Sequence, residues 1–173
     1  MIRQAIITDL DCVVEGYHAH FVHEKEHGAY TVFKEGVYPT RKDAEKALAN
    51  EALYVYEDNG NIAGSLIVDT VQPDEYTTID WPSQATPDKV RVIHLVMVNP
   101  RAAGKGIGST LVNHAVELAR QHSCAAVRLD TGEQNIPAVS LYTKLGFQLA
   151  GTSSMKVGGA IPHGKHLFFE KSL

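Results

Sequence analysis

Arg101, Gly104, Gly106 and Gly108 fall in one short run, Arg101-Ala-Ala-Gly-Lys-Gly-Ile-Gly108. An apolar stretch from Val90 to Val98 precedes it and reads as a strand. Asn99-Pro100 is a turn, and a helical pattern from Lys105 to His122 follows. Glycines at the mouth of a helix let a ligand approach the backbone, because no Cβ intervenes. The first N–H groups of the helix lack internal partners, and the helix dipole adds partial positive charge there. Such a loop is suited to a phosphate group.

Three glycine patterns compete for this loop. A P-loop requires GxxxxGK followed by Ser or Thr. Here Lys105 lies between two glycines and Ile107 follows the second, so that pattern fails. A dinucleotide fingerprint requires GxGxxG directly after a strand and an acidic residue further on. The third glycine, Gly108, comes one place early, although Asp130 at the end of the next strand keeps this reading open. The third pattern, Arg/Gln-x-x-Gly-x-Gly/Ala after a strand, resembles the acetyl-CoA loop of the GNAT superfamily of N-acetyltransferases. A second segment, Asn135-Ile-Pro-Ala138-Val-Ser-Leu-Tyr142-Thr-Lys-Leu-Gly146-Phe147, resembles that family's other cofactor motif.

The resemblance implies a role for each residue. Arg101, Ala102, Ala103, Gly104, Lys105, Gly106, Ile107 and Gly108 would hold a pyrophosphate, mostly through backbone N–H groups. Val96, Met97 and Val98 would pair with pantetheine where the central strand splays from its neighbour, and Met97 or Val98 would donate to the oxyanion. Asn135 would bind the pantetheine arm, while also suiting a helix N-cap. Tyr142 would protonate the departing thiolate; a packed core aromatic is the plainer account of the same residue. Family members often carry a carboxylate on the central strand, and Val92 and His94 depart from that. Histidine as a residue type titrates near neutrality, so His94 is the candidate base, although a core histidine fits as well. Strand alternation puts it on the side of Val92, Val96 and Val98.

The elements that must position these residues alternate between strand and helix. The pattern predicts a strand over Ile2–Ile7, a helix capped by Thr8-Asp9 from Leu10 to about Glu26, and a helix opened by Thr40…Asp43. A hairpin follows, Leu53–Glu57 and Ile62–Thr70, turning at Asp58-Asn59-Gly60-Asn61. Val71 to Lys89 is irregular and proline-bearing, which suits either a functional loop or a surface excursion. After the central strand and its helix come a strand over Ala125–Asp130, a helix from Asn135 to about Leu145, and a closing hairpin, Phe147–Val157 with Lys165–Lys171. The expected fold class is α/β (α+β). It would be a GNAT-like single domain over residues 1–173, with a mixed, mostly antiparallel sheet of seven strands and helices on both faces.

Composition sets outer bounds. The chain has 173 residues, 44% hydrophobic and 21% charged, with a formal net charge of −4. That balance argues against nucleic acid as a main partner. Two distant cysteines, Cys12 and Cys124, suggest no disulfide framework. No apolar run is long enough for a membrane span, and the first residues lack a signal-peptide pattern, so a cytoplasmic protein is expected. His23-Glu-Lys-Glu-His27 spells HExxH, a zinc-hydrolase signature. Its charged interior, the glycine after it and the lack of a third ligand argue against it, and no metal is expected. The leading expectation is acetyl transfer from acetyl-CoA to a primary amine of a small molecule, by direct attack in a ternary complex. The alternative is a non-catalytic acyl-CoA-binding module. The acids Asp69, Asp74, Glu75 and Asp80 would favour a cationic acceptor, and the resemblance allows a homodimer.

Overall fold

A computed structural model describes residues 1–173. One sheet of seven strands runs through it in the order β1-β2-β3-β4-β5-β7-β6. The strands are β1 (Ile2–Gln4), β2 (Leu53–Asp58), β3 (Asn61–Asp69), β4 (Val90–Val98), β5 (Ala126–Gly132), β6 (Gln148–Val157) and β7 (Ile161–Ser172). The helices are α1 (Leu10–His27), α2 (Arg41–Ala49), α3 (Ile107–Gln121) and α4 (Ile136–Lys144). Only β4 and β5 pair in parallel, and α3 is the crossover between them. The mixed, mostly antiparallel sheet expected from the sequence is therefore present.

Each face of the sheet covers one apolar layer. Leu111, Val112, Ala115 and Val116 of α3 pack on Leu66, Ile93, Val127 and Leu129. Leu10, Val13, Tyr17 and Phe21 of α1 pack, with Ala44 and Ala47 of α2, on Leu53, Val55, Leu95 and Met97. Local signals fix the ends of these elements. Asp43 accepts the Thr40 N–H at 2.7 Å, so the expected capping box starts α2. Asn59 and Gly60 both have positive φ, 50° and 79°, as a two-residue hairpin turn requires.

Three details differ from expectation. β1 stops at Gln4, because Asp9 accepts the Ile6 N–H at 2.8 Å and holds Arg3, which bends the chain into a 3-10 turn over Ile7–Asp9. The closing hairpin turns tightly at residues 158–160, so β7 begins at Ile161 and takes in residues 161–164 of the expected connection, Gly158 to Gly164.

The third difference bears on the site. Along β3 and β4, Ile67 pairs with Leu95 but Val68 pairs with Ile93, so His94 is an extra residue, a β-bulge. A bulge reverses side-chain parity beyond it. Ile93, Val96 and Val98 consequently pack toward α3, while Leu95 and Met97 pack toward α1. Val92 lies in a separate cluster with Tyr76 and Trp81. The expectation that Val92, His94, Val96 and Val98 share one side is therefore wrong, because simple alternation cannot anticipate an inserted residue.

Pairing between β4 and β5 runs from Val90 with Ala126 to Ile93 with Leu129 and ends there. Beyond the bulge the two strands part. Gly64 keeps β3 close to the other edge of β4: a Cβ there would lie 2.9 Å from the Met97 carbonyl oxygen and 3.1 Å from Ile107 Cγ2. Gly64→Ala is expected to cost about 1–3 kcal/mol in chemical denaturation, by forcing β3, β4 and α3 apart.

Candidate active site

The fork between β4 and β5 opens a cleft of about 250 Å³. Its walls include Val96, Met97 and Val98 from β4, Asp130 and Thr131 from β5, Ala103 and Gly108 from the glycine loop, and Asn135 and Tyr142 from α4. The Asn99 N–H bonds to the Ala63 carbonyl of β3 at 2.9 Å. Backbone N–H groups alternate between the two edges of a strand. Met97 therefore donates toward β3, and Val96 and Val98 present their N–H groups to the open side. Of Met97 and Val98, only Val98 therefore has its N–H on the open side.

The glycine loop lies at one end of the cleft. Asn99 Oδ1 accepts the Arg101 N–H at 3.0 Å, which shapes a 3-10 turn over Pro100–Ala102. Gly104 and Gly106 have φ of 79° and 74°, backbone that side chains rarely adopt. The loop from Arg101 to Gly106 is largely exposed, and α3 starts directly after it with its first N–H groups free of helical partners. Ile107 has its side chain in the core, so only its backbone serves the mouth of the cleft. Asn135 is the N-cap of α4, its Oδ1 accepting the Ala138 N–H at 3.2 Å, and it also lines the cleft.

Tyr142 is buried between Phe147 and Phe169, at ring separations of 5.9 and 6.1 Å, and borders the cleft. It is thus a packed core aromatic that also reaches the cleft wall. Burial first, and then the Asp130 carboxylate, push its phenol well above the usual tyrosine range. Tyr142 is thereby held in its protonated form.

A larger chamber of about 520 Å³ adjoins the cleft. Thr31, Phe33, His94, Asp130, Thr131 and Asn135 line both, so these residues form the junction. His94 Nε2 lies 2.7 Å from Asp69 Oδ1. Burial opposes the charge on Asp69, but the His94 hydrogen bond and the Val71 N–H outweigh it and hold the carboxyl below its ordinary range. Asp130 Oδ1 accepts from the Tyr76 hydroxyl at 2.8 Å, and Asp130 Oδ2 lies 3.0 Å from His166 Nδ1. Of the four loop acids named from the sequence, Asp74 and Glu75 line the chamber; Asp69 supports His94, and Asp80 bonds Gln84.

The irregular stretch from 71 to 89 is pinned to the sheet. Arg128 and Glu170 form a buried ion pair, Nε to Oε2 at 2.8 Å. Arg128 also donates to Gln72 at 2.7 Å and lies over the Trp81 ring at 4.3 Å, and Glu170 accepts the Ser83 N–H at 2.7 Å. These bonds hold Gln72 and its neighbours at the chamber wall.

The sequence reading passed over Tyr76 and His166, and it weighed Asp130 only as a ribose-binding acid. The available signal was position: ligands of open α/β sheets gather outside the carboxyl ends of their strands, and Asp130 lies two residues before the end of β5. The HExxH segment has a structural use. Glu24 accepts the backbone N–H groups of Tyr30 and Thr31 at 3.0 and 2.7 Å and the Thr31 hydroxyl at 3.0 Å, fixing the loop after α1. His23 and His27 stack on each other at 4.3 Å. No three His, Cys, Asp or Glu side chains are grouped to hold a metal ion.

Residues 10–147 match the family model described as the acetyltransferase (GNAT) family. The chain belongs to this family. An uncharacterized N-acetyltransferase of Methanocaldococcus jannaschii is 32% identical over 98 residues, which is 57% of this chain and 39% of that protein. An aminoglycoside N(6')-acetyltransferase type 1 of Klebsiella pneumoniae is 32% identical over 82 residues, 47% of this chain and 41% of the relative. The chain thus spans about two fifths of the length of these curated relatives. A Salmonella typhimurium acetyltransferase solved with its cofactor acetyl-CoA has the same fold, with a TM-score of 0.70 at 19% identity over 100% of this chain and 93% of that one. No helix of this GNAT chain is long and apolar enough to cross a membrane.

The buried pair behind the GNAT fork should be sensitive to loss of either partner. Glu170→Gln leaves Arg128 charged and without its counter-ion, and is expected to cost about 3–5 kcal/mol in reversible denaturation. Limited proteolysis should then cut between residues 71 and 89, now released from the sheet.

Proposed function

We propose that this protein is an N-acetyltransferase that moves the acetyl group of acetyl-CoA to a primary amine of a small molecule, by direct attack in a ternary complex. The observation that carries the reading is the junction of two chambers at His94 and Asp130. A cleft with free strand N–H groups and a glycine mouth suits pantetheine and pyrophosphate, and the adjoining chamber suits the acceptor. Acetyl-CoA supplies the activated acetyl thioester. The protein supplies proximity, since two substrates that meet at one junction react as though at very high local concentration.

Each residue has a part in this reading. The N–H groups at the start of α3 and in the glycine loop bind the pyrophosphate. Val96 and Val98 extend their strand edge to the pantetheine amides, and the Val98 N–H donates to the oxyanion. Asn135 anchors the arm at the fork. Tyr142 donates its proton to the thiolate, and its raised affinity for that proton keeps the donor form present. His94, tied to Asp69, borders the incoming amine. Asp74, Glu75 and Asp130 outnumber the one lysine of the chamber, Lys156, which favours a cationic acceptor. The aminoglycoside relative is consistent with a polyamine-like small molecule in that role.

Calorimetric titration with acetyl-CoA tests the reading, with NADH and zinc as controls. Saturable binding of acetyl-CoA alone is expected, and release of free thiol in the presence of a panel of primary amines; binding of NADH or zinc alone would refute it. Tyr142→Phe is expected to lower kcat about 100-fold with acetyl-CoA affinity retained. Because its phenol is shifted upward, the pH–rate profile of the wild type should show no decline from Tyr142 loss of proton up to about pH 10. Replacing Asp74 and Glu75 with Lys should raise the KM for a cationic amine about tenfold, and leave that for acetyl-CoA unchanged.

A further inference from the structure

The acetyl-transfer reading leaves the destination of the amine's proton open. We propose that Asp130 is the catalytic residue that takes it, with Tyr76 and His166 as positioning residues for its two carboxylate oxygens. This inference rests on the acetyl-transfer reading above.

Asp130 is the one carboxylate among the residues that line both chambers. It follows Leu129, the last residue of β5 paired with β4, so it stands where the strands separate. Ala126, Arg128 and Asp130 share one face of β5 by strand alternation. Arg128 on that face is committed to Glu170. Asp130 has no cationic partner of that kind. Its oxygens are held by Tyr76 at 2.8 Å and by His166 at 3.0 Å, one on each. A carboxylate offers about four lone-pair sites, so capacity remains for an amine nitrogen.

His166 contributes a second observation. Its side chain is 2% exposed and lines the larger chamber, and its Nε2 is buried without a protein partner. To donate to Asp130, Nδ1 must carry the ring proton, so Nε2 is bare in the neutral ring. This tautomer is assigned from the hydrogen bond. A ring N–H on one oxygen and a phenol on the other fix the carboxylate in place. His94, with its Nε2 held by Asp69 at 2.7 Å, has only Nδ1 left to accept a proton and is the competing base that the Asp130 variants test.

The step balances as follows. The acceptor ammonium first loses one proton to water, and the lone pair of the resulting neutral amine forms a C–N bond to the acetyl carbonyl carbon. The C–S bond breaks and its electron pair goes to sulfur, which takes the Tyr142 proton. The nitrogen becomes strongly acidic once it gains the new bond, and its extra proton goes to Asp130. Return of that proton through water to the Tyr142 phenolate resets both groups. The products are the amide and free CoA thiol.

The test uses the full chain, acetyl-CoA, and ethanolamine, 1,5-diaminopentane and kanamycin as acceptor probes, followed by thiol release. Asp130→Asn should lower kcat about 100-fold, with acetyl-CoA affinity by calorimetry within about twofold of wild type. Asp130→Ala should be as slow, and sodium formate should restore its turnover about tenfold by supplying the missing carboxylate. Tyr76→Phe and His166→Asn should each lower kcat about tenfold without responding to formate. An Asp130→Asn enzyme with wild-type kcat overturns the proposal, as does an Asp130→Ala enzyme that is slow, folded and unmoved by formate. A wild-type protein that binds acetyl-CoA but releases no thiol with any probe removes the acetyl-transfer reading, and this proposal with it.

Discussion

The parting of β4 from β5 at His94 is the constraint on which the rest of the site depends. A strand inside a sheet satisfies its N–H and C=O groups on both sides. Beyond the bulge β4 keeps its bonds to β3 on one edge and loses its neighbour on the other. Buried backbone polar groups without partners are costly, so this edge calls for water or for a ligand with amide groups of its own. One inserted residue therefore does two things. It ends the pairing, and it turns His94 toward the cavity that results. The cleft is a consequence of sheet geometry more than of any single side chain.

An open fork inside a sheet needs bracing. α3 spans both strands, with Leu111, Val112 and Ala115 in the cluster that holds Ile93 of β4 and Leu129 of β5. On the opposite face the braces are polar. Glu24 ties down the loop after α1, which brings Thr31 and Phe33 to the junction. Arg128 and Glu170 hold the 71–89 segment, which brings Gln72 and Asp74 to the chamber. Burying these charges is expensive, and each is tolerable because its partners are close and complete. Loops that would otherwise sample many conformations are fixed as walls, so their ordering cost is met by folding before any substrate arrives.

The fold was largely legible because its signals are local. The Thr40–Asp43 box, the Asn59-Gly60 turn, the glycines before α3 and Asn135 before α4 are each read from a few adjacent residues. The strand limits of β4 follow from its apolar run alone. What escaped the reading depends on pairs distant in sequence. The bulge at His94 is a mismatch between β3 and β4, visible only when both strands are in register. Tyr76, Asp130 and His166 come from a 3-10 turn, a strand end and another strand, and nothing in the sequence joins them. HExxH is the opposite case: a strong local pattern, set aside as a zinc site because of its charged interior and missing third ligand, anchors a loop, because Glu24 faces the chain that follows it. Tyr142 was legible through its motif, while its burial among aromatics required the packed core.

Two carboxylates on the chamber side of the sheet illustrate how a site differs from its support. Glu170 is 1% exposed, with an arginine on one oxygen and a backbone N–H on the other. Asp130 retains 15% side-chain exposure and has only a phenol and an imidazole as donors. Paired ions attract strongly in a poorly polarisable interior, so Glu170 is committed to Arg128. The hydroxyl and ring N–H occupy one site on each Asp130 oxygen, and they can remain in place when an ammonium arrives. The sheet separates these duties by register: Arg128 pairs with Glu170 across β5 and β7, and two residues further along, past the end of the β4 pairing, Asp130 has no such partner. The same fork that frees the N–H groups of β4 thus also leaves a carboxylate at its apex without a fixed cation.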